Sequence, residues 1–167
     1  MHKVIDEYPG IQHISLGVGE GVIAGKPTAV STVLGSCVAV TFHDPVRRLG
    51  AVFHALLPNW GDYPNSKNPG EFKYVDAAIQ HFANAMYLQG SSRANVVCKV
   101  FGGANAMFKE QFGVGQRNVL TAFKTLEGER LRVVASDVGG NRGRKLIFIT
   151  HTGEVFMKRL RTQQLSS

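Results

Sequence analysis

Apolar residues along this chain fall mostly into short runs, punctuated by 19 glycines and 6 prolines. That rhythm predicts strands more often than helices. Strands are expected near 11–18, 28–33, 37–42, 50–57, 94–101, 131–136, 145–151 and 154–159. Two segments carry the other period. Phe72, Val75, Ile79, Phe82 and Met86 recur at steps of three and four, forming the single apolar stripe of a helix over 71–89. Asn68 and Pro69 stand where an N-cap and a first-turn proline belong, and Gly90 where such a helix stops. A shorter helix from Gln116 to Glu127 places Val119, Phe123 and Leu126 on its stripe, before Gly128. The mixture reads as a β-rich α/β fold.

At 167 residues the chain is expected to form one domain, 1–167, with 1–10 and 161–167 frayed. A core of that size needs neither disulfide nor structural metal. No apolar run approaches the roughly 20 residues that cross a bilayer, and the N-terminus lacks the layout of a signal peptide. Two cysteines without a secretion signal point to free thiols in the cytoplasm. Lys and Arg outnumber Asp and Glu by 19 to 12, a formal charge of +7 that favours an acidic partner. RNA is the weaker form of that idea, because Phe148 and Phe156, the candidate stacking residues, lie in strands where phenylalanine is usually core. The six histidines are scattered, so no metal and no cofactor is expected.

Some motifs fail on their surroundings. Gly19-Glu20-Gly21-Val22-Ile23-Ala24 satisfies a dinucleotide fingerprint, but Gly25 and Pro27 follow at once and leave no helix to face a pyrophosphate. The segment reads as turns. Gly139 to Lys145 is basic and glycine-rich and could cradle an anion, although a tight turn with solvated charges is the simpler reading. The segment 58–70, with Trp60 and Tyr63, is long enough for a contact loop.

The chemistry concentrates around two apolar runs flanking His43-Asp44-Pro45-Val46-Arg47-Arg48, a β-hairpin. With Pro45 at the second turn position, Asp44 faces Arg47 and Cys37 falls opposite His54. One face then carries Cys37, Ala39, Thr41, Gly50, Val52 and His54, whose small residues would leave room for a substrate. The other face, with Val38, Val40, Phe42, Leu49, Phe53 and Ala55, is core. A thiol beside an imidazole is a nucleophile with its base, the imidazole taking the proton and the cation lowering the thiol pKa. Amides at Ser36 and Cys37, after Gly35, are placed to stabilise an oxyanion. A buried small hydrophobe beside a satisfied strand histidine is the competing reading. Cys98, in Asn95-Val96-Val97-Cys98, reads as core.

These residues resemble a known family. Gly35-Ser36-Cys37-Val38-Ala39-Val40 and His54-Ala55-Leu56-Leu57-Pro58 are similar to the signature of the CheD family of chemoreceptor glutamine deamidases. The resemblance continues through Lys99-Val100-Phe101-Gly102-Gly103-Ala104 and Gly113-Val114-Gly115-Gln116-Arg117-Asn118. It ends with Asp137-Val138-Gly139-Gly140-Asn141-Arg142-Gly143-Arg144-Lys145 and Thr152-Gly153-Glu154-Val155, so that it spans Ser31 to Arg159. It implies an α/β/β sandwich with two mixed sheets and helices on one side. It also implies a cysteine hydrolase that converts glutamine side chains of receptor signalling helices to glutamate, with Cys37 as nucleophile and His54 as base. Some members also bind a CheC-type phosphatase. A non-catalytic adaptor that binds receptor or phosphatase is the alternative.

The family's third residue is a threonine six positions before the cysteine, which is Ser31 here, with Thr32 beside it. Alternation along a strand sends the two to opposite faces, so only one can orient His54, and Ser31 is expected to do so. Arg47, Arg48, Arg142, Arg144 and Lys145 are expected to line the approach of an acidic receptor helix.

Overall fold

The computed structural model describes residues 4, 6–63, 72–105 and 113–161. In chain order these form β1 (Gln12–Ser15), β2 (Gly21–Ala24), β3 (Thr28–Leu34), β4 (Val38–Asp44), β5 (Leu49–Ala55), α1 (Val75–Leu88), β6 (Val97–Gly102), α2 (Val114–Gly128), β7 (Arg132–Val138), β8 (Arg144–Ile149) and β9 (Val155–Arg159). A four-stranded sheet runs β1-β3-β8-β9 and a five-stranded sheet β2-β5-β4-β6-β7. Each is mixed: β1 lies parallel to β3 and β6 parallel to β7, while the remaining pairs are antiparallel. Both helices pack on one face of the five-stranded sheet, whose other face meets the four-stranded sheet. This is the α/β/β sandwich.

Burial explains why β4 and β5 lie at the centre. Every residue of both strands is buried, as a strand covered on both faces requires. Val38, Val40, Phe42, Leu49, Ala51, Phe53 and Ala55 point to the helices. There α1 presents Val75, Ala78, Ile79, Phe82, Ala83 and Met86, a stripe at helical spacing. The Phe82 ring stacks on Phe53 at 6.0 Å. Helix α1 starts at Val75 with Tyr74 at its cap, so Phe72 packs against Phe82 from outside the helix. The expected cap at Asn68 and Pro69 lies outside the described residues, as do residues 64–71 of the 58–70 loop.

The opposite face is not a substrate chamber. Ala39 and Val52 meet Leu34, Val30, Leu146 and Phe148 of the other sheet. A Cβ on Gly50 would stand 2.4 Å from the Thr150 carbonyl oxygen and 3.0 Å from the Phe148 ring. The small residues are there because a second sheet lies against them. Phe148, 1% exposed, is part of that filling and cannot stack on a base.

Two further expectations are corrected. Asp44 pairs with Leu49, not Arg47, so Ala39 rather than Cys37 stands opposite His54. The connection is a four-residue loop, in which the Asp44 carboxylate accepts from the Val46 and Arg47 amides and Arg48 takes φ 54°. A two-residue loop built on a type I turn would splay the strands, and the longer loop with a left-handed residue does not. The register moves by two, so every side chain keeps its face. The second correction is β2, read as turns and in fact the edge strand beside β5. Its apolar run is short, and its glycine faces α1, where a Cβ on Gly21 would meet the Phe82 ring at 2.4 Å.

Of residues 1–10, expected to fray, Val4 and Tyr8 pack against Ala29, Ile147 and Ile149. Residues 162–167 lie outside the described chain.

The contact between the sheets gives a direct test. Gly50→Ala should lower stability by about 2–3 kcal/mol through overpacking, while Gly61→Ala, with nothing within 4 Å of its Cβ, should change it by less than about 0.5 kcal/mol. Urea denaturation midpoints of the two variants measure the difference.

Candidate active site

His54 sits near the end of β5, 3% exposed. Ala39 of β4 pairs with it on one side. On the other, the residues leading into β2 hold it: Gly19 N–H donates to the His54 carbonyl at 2.8 Å and His54 N–H to the Glu20 carbonyl at 2.9 Å. The failed dinucleotide motif is therefore the segment that fixes the histidine backbone.

The ring is fixed from the other sheet. Thr32 Oγ1 lies 2.7 Å from His54 Nδ1 and 2.8 Å from the Leu16 carbonyl oxygen. A hydroxyl has one proton, and the carbonyl can only accept, so Thr32 donates to Leu16 and accepts from Nδ1–H. The tautomer follows: Nδ1 carries the proton and Nε2 carries the lone pair. Nε2 is buried and has no hydrogen-bond partner among the described residues.

Ser31 does not perform this role. Its Oγ faces Ser15 Oγ at 3.4 Å on the exposed side of the four-stranded sheet. The signal for Thr32 was present in the sequence. Val30 and Leu34 mark the buried face of β3, and Thr32, between them at a period of two, is the polar residue on an apolar face.

Cys37, 8% exposed, immediately precedes β4 and belongs to the same cluster between the sheets as Leu16, Leu34 and Ala39. It lies on the His54 face as a diagonal neighbour, one pleat beyond Ala39. The three carbonyls around it are all occupied. Ala104 N–H donates to Gly35 at 3.0 Å, Gly103 N–H to Cys37 at 2.8 Å, and the side chain of Asn118 to Ser36 at 3.0 Å. No backbone carbonyl among the described residues takes the Ser36 or Cys37 amide. Helix α2 reaches this segment through close glycines. A Cβ on Gly115 would stand 2.3 Å from the Ala104 oxygen, and one on Gly103 2.2 Å from the Val119 side chain.

Burial sets the charge state. It pushes the Cys37 thiol up to about 11 and the His54 imidazole down to about 4, the latter against the attraction of Glu20. Thiol and imidazole are both neutral at rest, not the thiolate and imidazolium expected from the sequence. Cys98, wholly buried and pushed up to about 12, is core as read.

Several of the basic residues expected to line the approach are engaged in the fold or lie far from the site. Arg144 is 3% exposed and spent on structure. It pairs with Asp137 at 2.7 Å and donates to the Gly139 and Gly102 carbonyls. Arg159 also holds Asp137, at 2.7 Å. Burial pushes that carboxyl up, and the bonds from both arginines outweigh it and hold it below its ordinary value. Arg142 donates to the Leu160 and Arg159 carbonyls. Arg47 and Arg48 sit at the far end of β4, about 20 Å along the strand from Cys37. A cavity of about 590 Å³ lined by Asn59, Gln80, Arg117, Leu120 and Lys124 opens between α1 and α2, but neither Cys37 nor His54 lines it. Among the described residues no group of His, Cys, Asp or Glu is placed to hold a metal ion, and no helix is long and apolar enough to cross a membrane.

Residues 56–159 match the family model described as CheD chemotactic sensory transduction, a match that begins two residues after His54. Over nearly the whole length the chain is similar to proteins named probable chemoreceptor glutamine deamidase. One, CheD 2 of Geobacter sulfurreducens, is 44% identical over 96% of this chain and 98% of its own. Another, from Maridesulfovibrio salexigens, is 40% identical over 90% and 93%. A third, from Methanosarcina barkeri, is 33% identical over 86% and 94%. Among solved structures, a Neisseria meningitidis protein of the DUF152 family model overlays with a TM-score of 0.49 and 11% identity, covering 89% of this chain and 79% of that one.

The buried imidazole makes stability depend on pH. Above its ordinary value of 6.5 the ring is neutral in both folded and unfolded chains. Between 6.5 and about 4 only the unfolded chain takes up the proton, so stability falls with acid, and below about 4 this contribution is gone. The loss should be on the order of 3 kcal/mol. Urea unfolding of wild type and His54→Gln at pH 7, 5.5 and 4 measures it, and equal slopes for the two proteins would contradict it.

Proposed function

The chain belongs to the CheD family, and from that footing we propose that it deamidates glutamine side chains of chemoreceptors, with Cys37 as nucleophile and His54 as base. What carries the reading is the Thr32 hydroxyl. Its bond to Nδ1 leaves His54 Nε2 with a free lone pair, and Cys37 lies on the same face between the sheets.

A neutral pair calls for proton transfer during attack rather than before it. As Cys37 Sγ bonds to the carboxamide carbon of the glutamine, its proton passes to Nε2. The imidazolium is stabilised through Nδ1–H by Thr32 Oγ1, and the developing oxyanion by the Ser36 and Cys37 amides. Collapse breaks the carbon–nitrogen bond, Nε2 returns its proton, and ammonia leaves. Water then attacks the thioester with Nε2 as base, releasing glutamate and restoring the thiol. Atoms balance as one water consumed and one ammonia released.

The hydroxyl holds the ring without supplying charge, so the imidazole stays easy to keep neutral in its dry surroundings. Substrates would be the receptor's signalling helices, met in the cytoplasm, and a CheC-type phosphatase would bind as regulator.

Intact-mass analysis of a receptor cytoplasmic fragment tests the reaction. Wild type should convert glutamines to glutamates and Cys37→Ala should convert none, whereas an unchanged fragment with wild type would leave only the adaptor. Thr32→Val should lower kcat about 10²-fold, Thr32→Ser should be tolerated, and Ser31→Ala should match wild type. The pH profile of kcat/KM should show its acid limb near 4, where His54 takes up a proton. A limb near 7 would mean that the imidazole takes up its proton near its ordinary value instead.

A further inference from the structure

The paired part of β4 and β5 ends at Val38 and Ala55, just short of the nucleophile on one strand and just past the base on the other. Beyond that rung the strands part. The Leu56 and Leu57 amides both turn to the Lys73 carbonyl, and the Cys37 carbonyl turns to Gly103. The Ser36 and Leu56 carbonyls would be left without protein partners in a part-buried gap. One atom serves both: Asn118 Nδ2 lies 3.0 Å from the Ser36 oxygen and 3.0 Å from the Leu56 oxygen. Asn118 is wholly buried. Its amide orientation is settled by these partners, since turning it over would set Oδ1 against two carbonyl oxygens. Oδ1 itself has no partner among the described residues.

We infer that Asn118 is a positioning residue, replacing the missing rung of the β4–β5 ladder and setting the distance between the Cys37 segment and the His54 strand. Both carbonyls lie within 3.0 Å of one nitrogen, so the two oxygens are no more than 6.0 Å apart. The neighbouring backbone donors Gly103 and Ala104 serve Cys37 and Gly35. A side chain from α2 takes the place of a further rung because the ladder stops at Val38 and Ala55. The inference rests on the proposed reaction only for its kinetic readout.

Two variants test it. N118L keeps the volume and loses both donors. It should lower kcat about 10²-fold, the effect of misplacing reacting groups by about 1 Å, with KM unchanged. N118D keeps the shape, and its carboxyl, protonated when buried, can donate to one of the two carbonyls. It should retain activity at low pH and lose it as pH rises, giving an alkaline limb that wild type lacks. This limb decides the matter if N118L does not fold. A third readout needs no receptor: iodoacetamide should alkylate Cys37 faster in N118L than in wild type, while the Nδ1–H resonance of His54 persists. A wild type that deamidates nothing would sink the proposed reaction, and alkylation would still judge Asn118. Folded N118L with wild-type kcat and alkylation rate, or N118D with the wild-type pH profile, would overturn the inference.

Discussion

Two β-sheets in face-to-face contact exclude water from the space between them, and an imidazole placed there must remain neutral, with the nitrogen that carries the proton answered by protein. His54 meets that constraint through one hydroxyl. Thr32, on the opposite sheet, accepts from Nδ1–H and donates its own O–H to the Leu16 carbonyl, so the polar chain crosses the gap and ends on a backbone carbonyl. The same dryness that depresses the imidazole also keeps the thiol protonated. Tautomer, charge state and the free lone pair on Nε2 are thus consequences of how the sheets pack.

That packing needs close approach at three places. Gly50 admits the Phe148 side and the Thr150 backbone, Gly21 admits the Phe82 ring, and Gly103 with Gly115 admits the first turn of α2. Each contact sets a different element, the second sheet, α1 or α2, against the five-stranded sheet. The result is a nucleophile segment whose carbonyls are all anchored while its amides are not. Such a segment is stiff, and it keeps its donors for something other than secondary structure.

Much of this arrangement was legible from residue order. The alternation in β4 and β5 sorts Cys37 and His54 onto one face, and that assignment survived a turn read two residues too short, because strands repeat every two. What was not legible depends on the third dimension. Small residues at Ala39 and Gly50 look like space for a substrate until the second sheet is set against them. Gly19 to Ala24 looks like turns because its partner strand, β5, is far away in sequence. Arg144 looks like surface charge until its neighbours Asp137 and Gly102 are in place. Thr32 could have been preferred to Ser31 on alternation with Val30 and Leu34 alone, had that pattern been weighed above the family spacing.

The pairing of β3 with β8 joins Thr32 to Leu146, and it has a bearing on how the protein is made. The strand that presses Thr32 onto the imidazole is synthesised more than a hundred residues after Cys37. Over that interval the strands that shelter the thiol between the sheets are not yet made. The thiol becomes sheltered only when the last two strands close the second sheet. The growing chain is therefore most vulnerable to oxidants before it is complete.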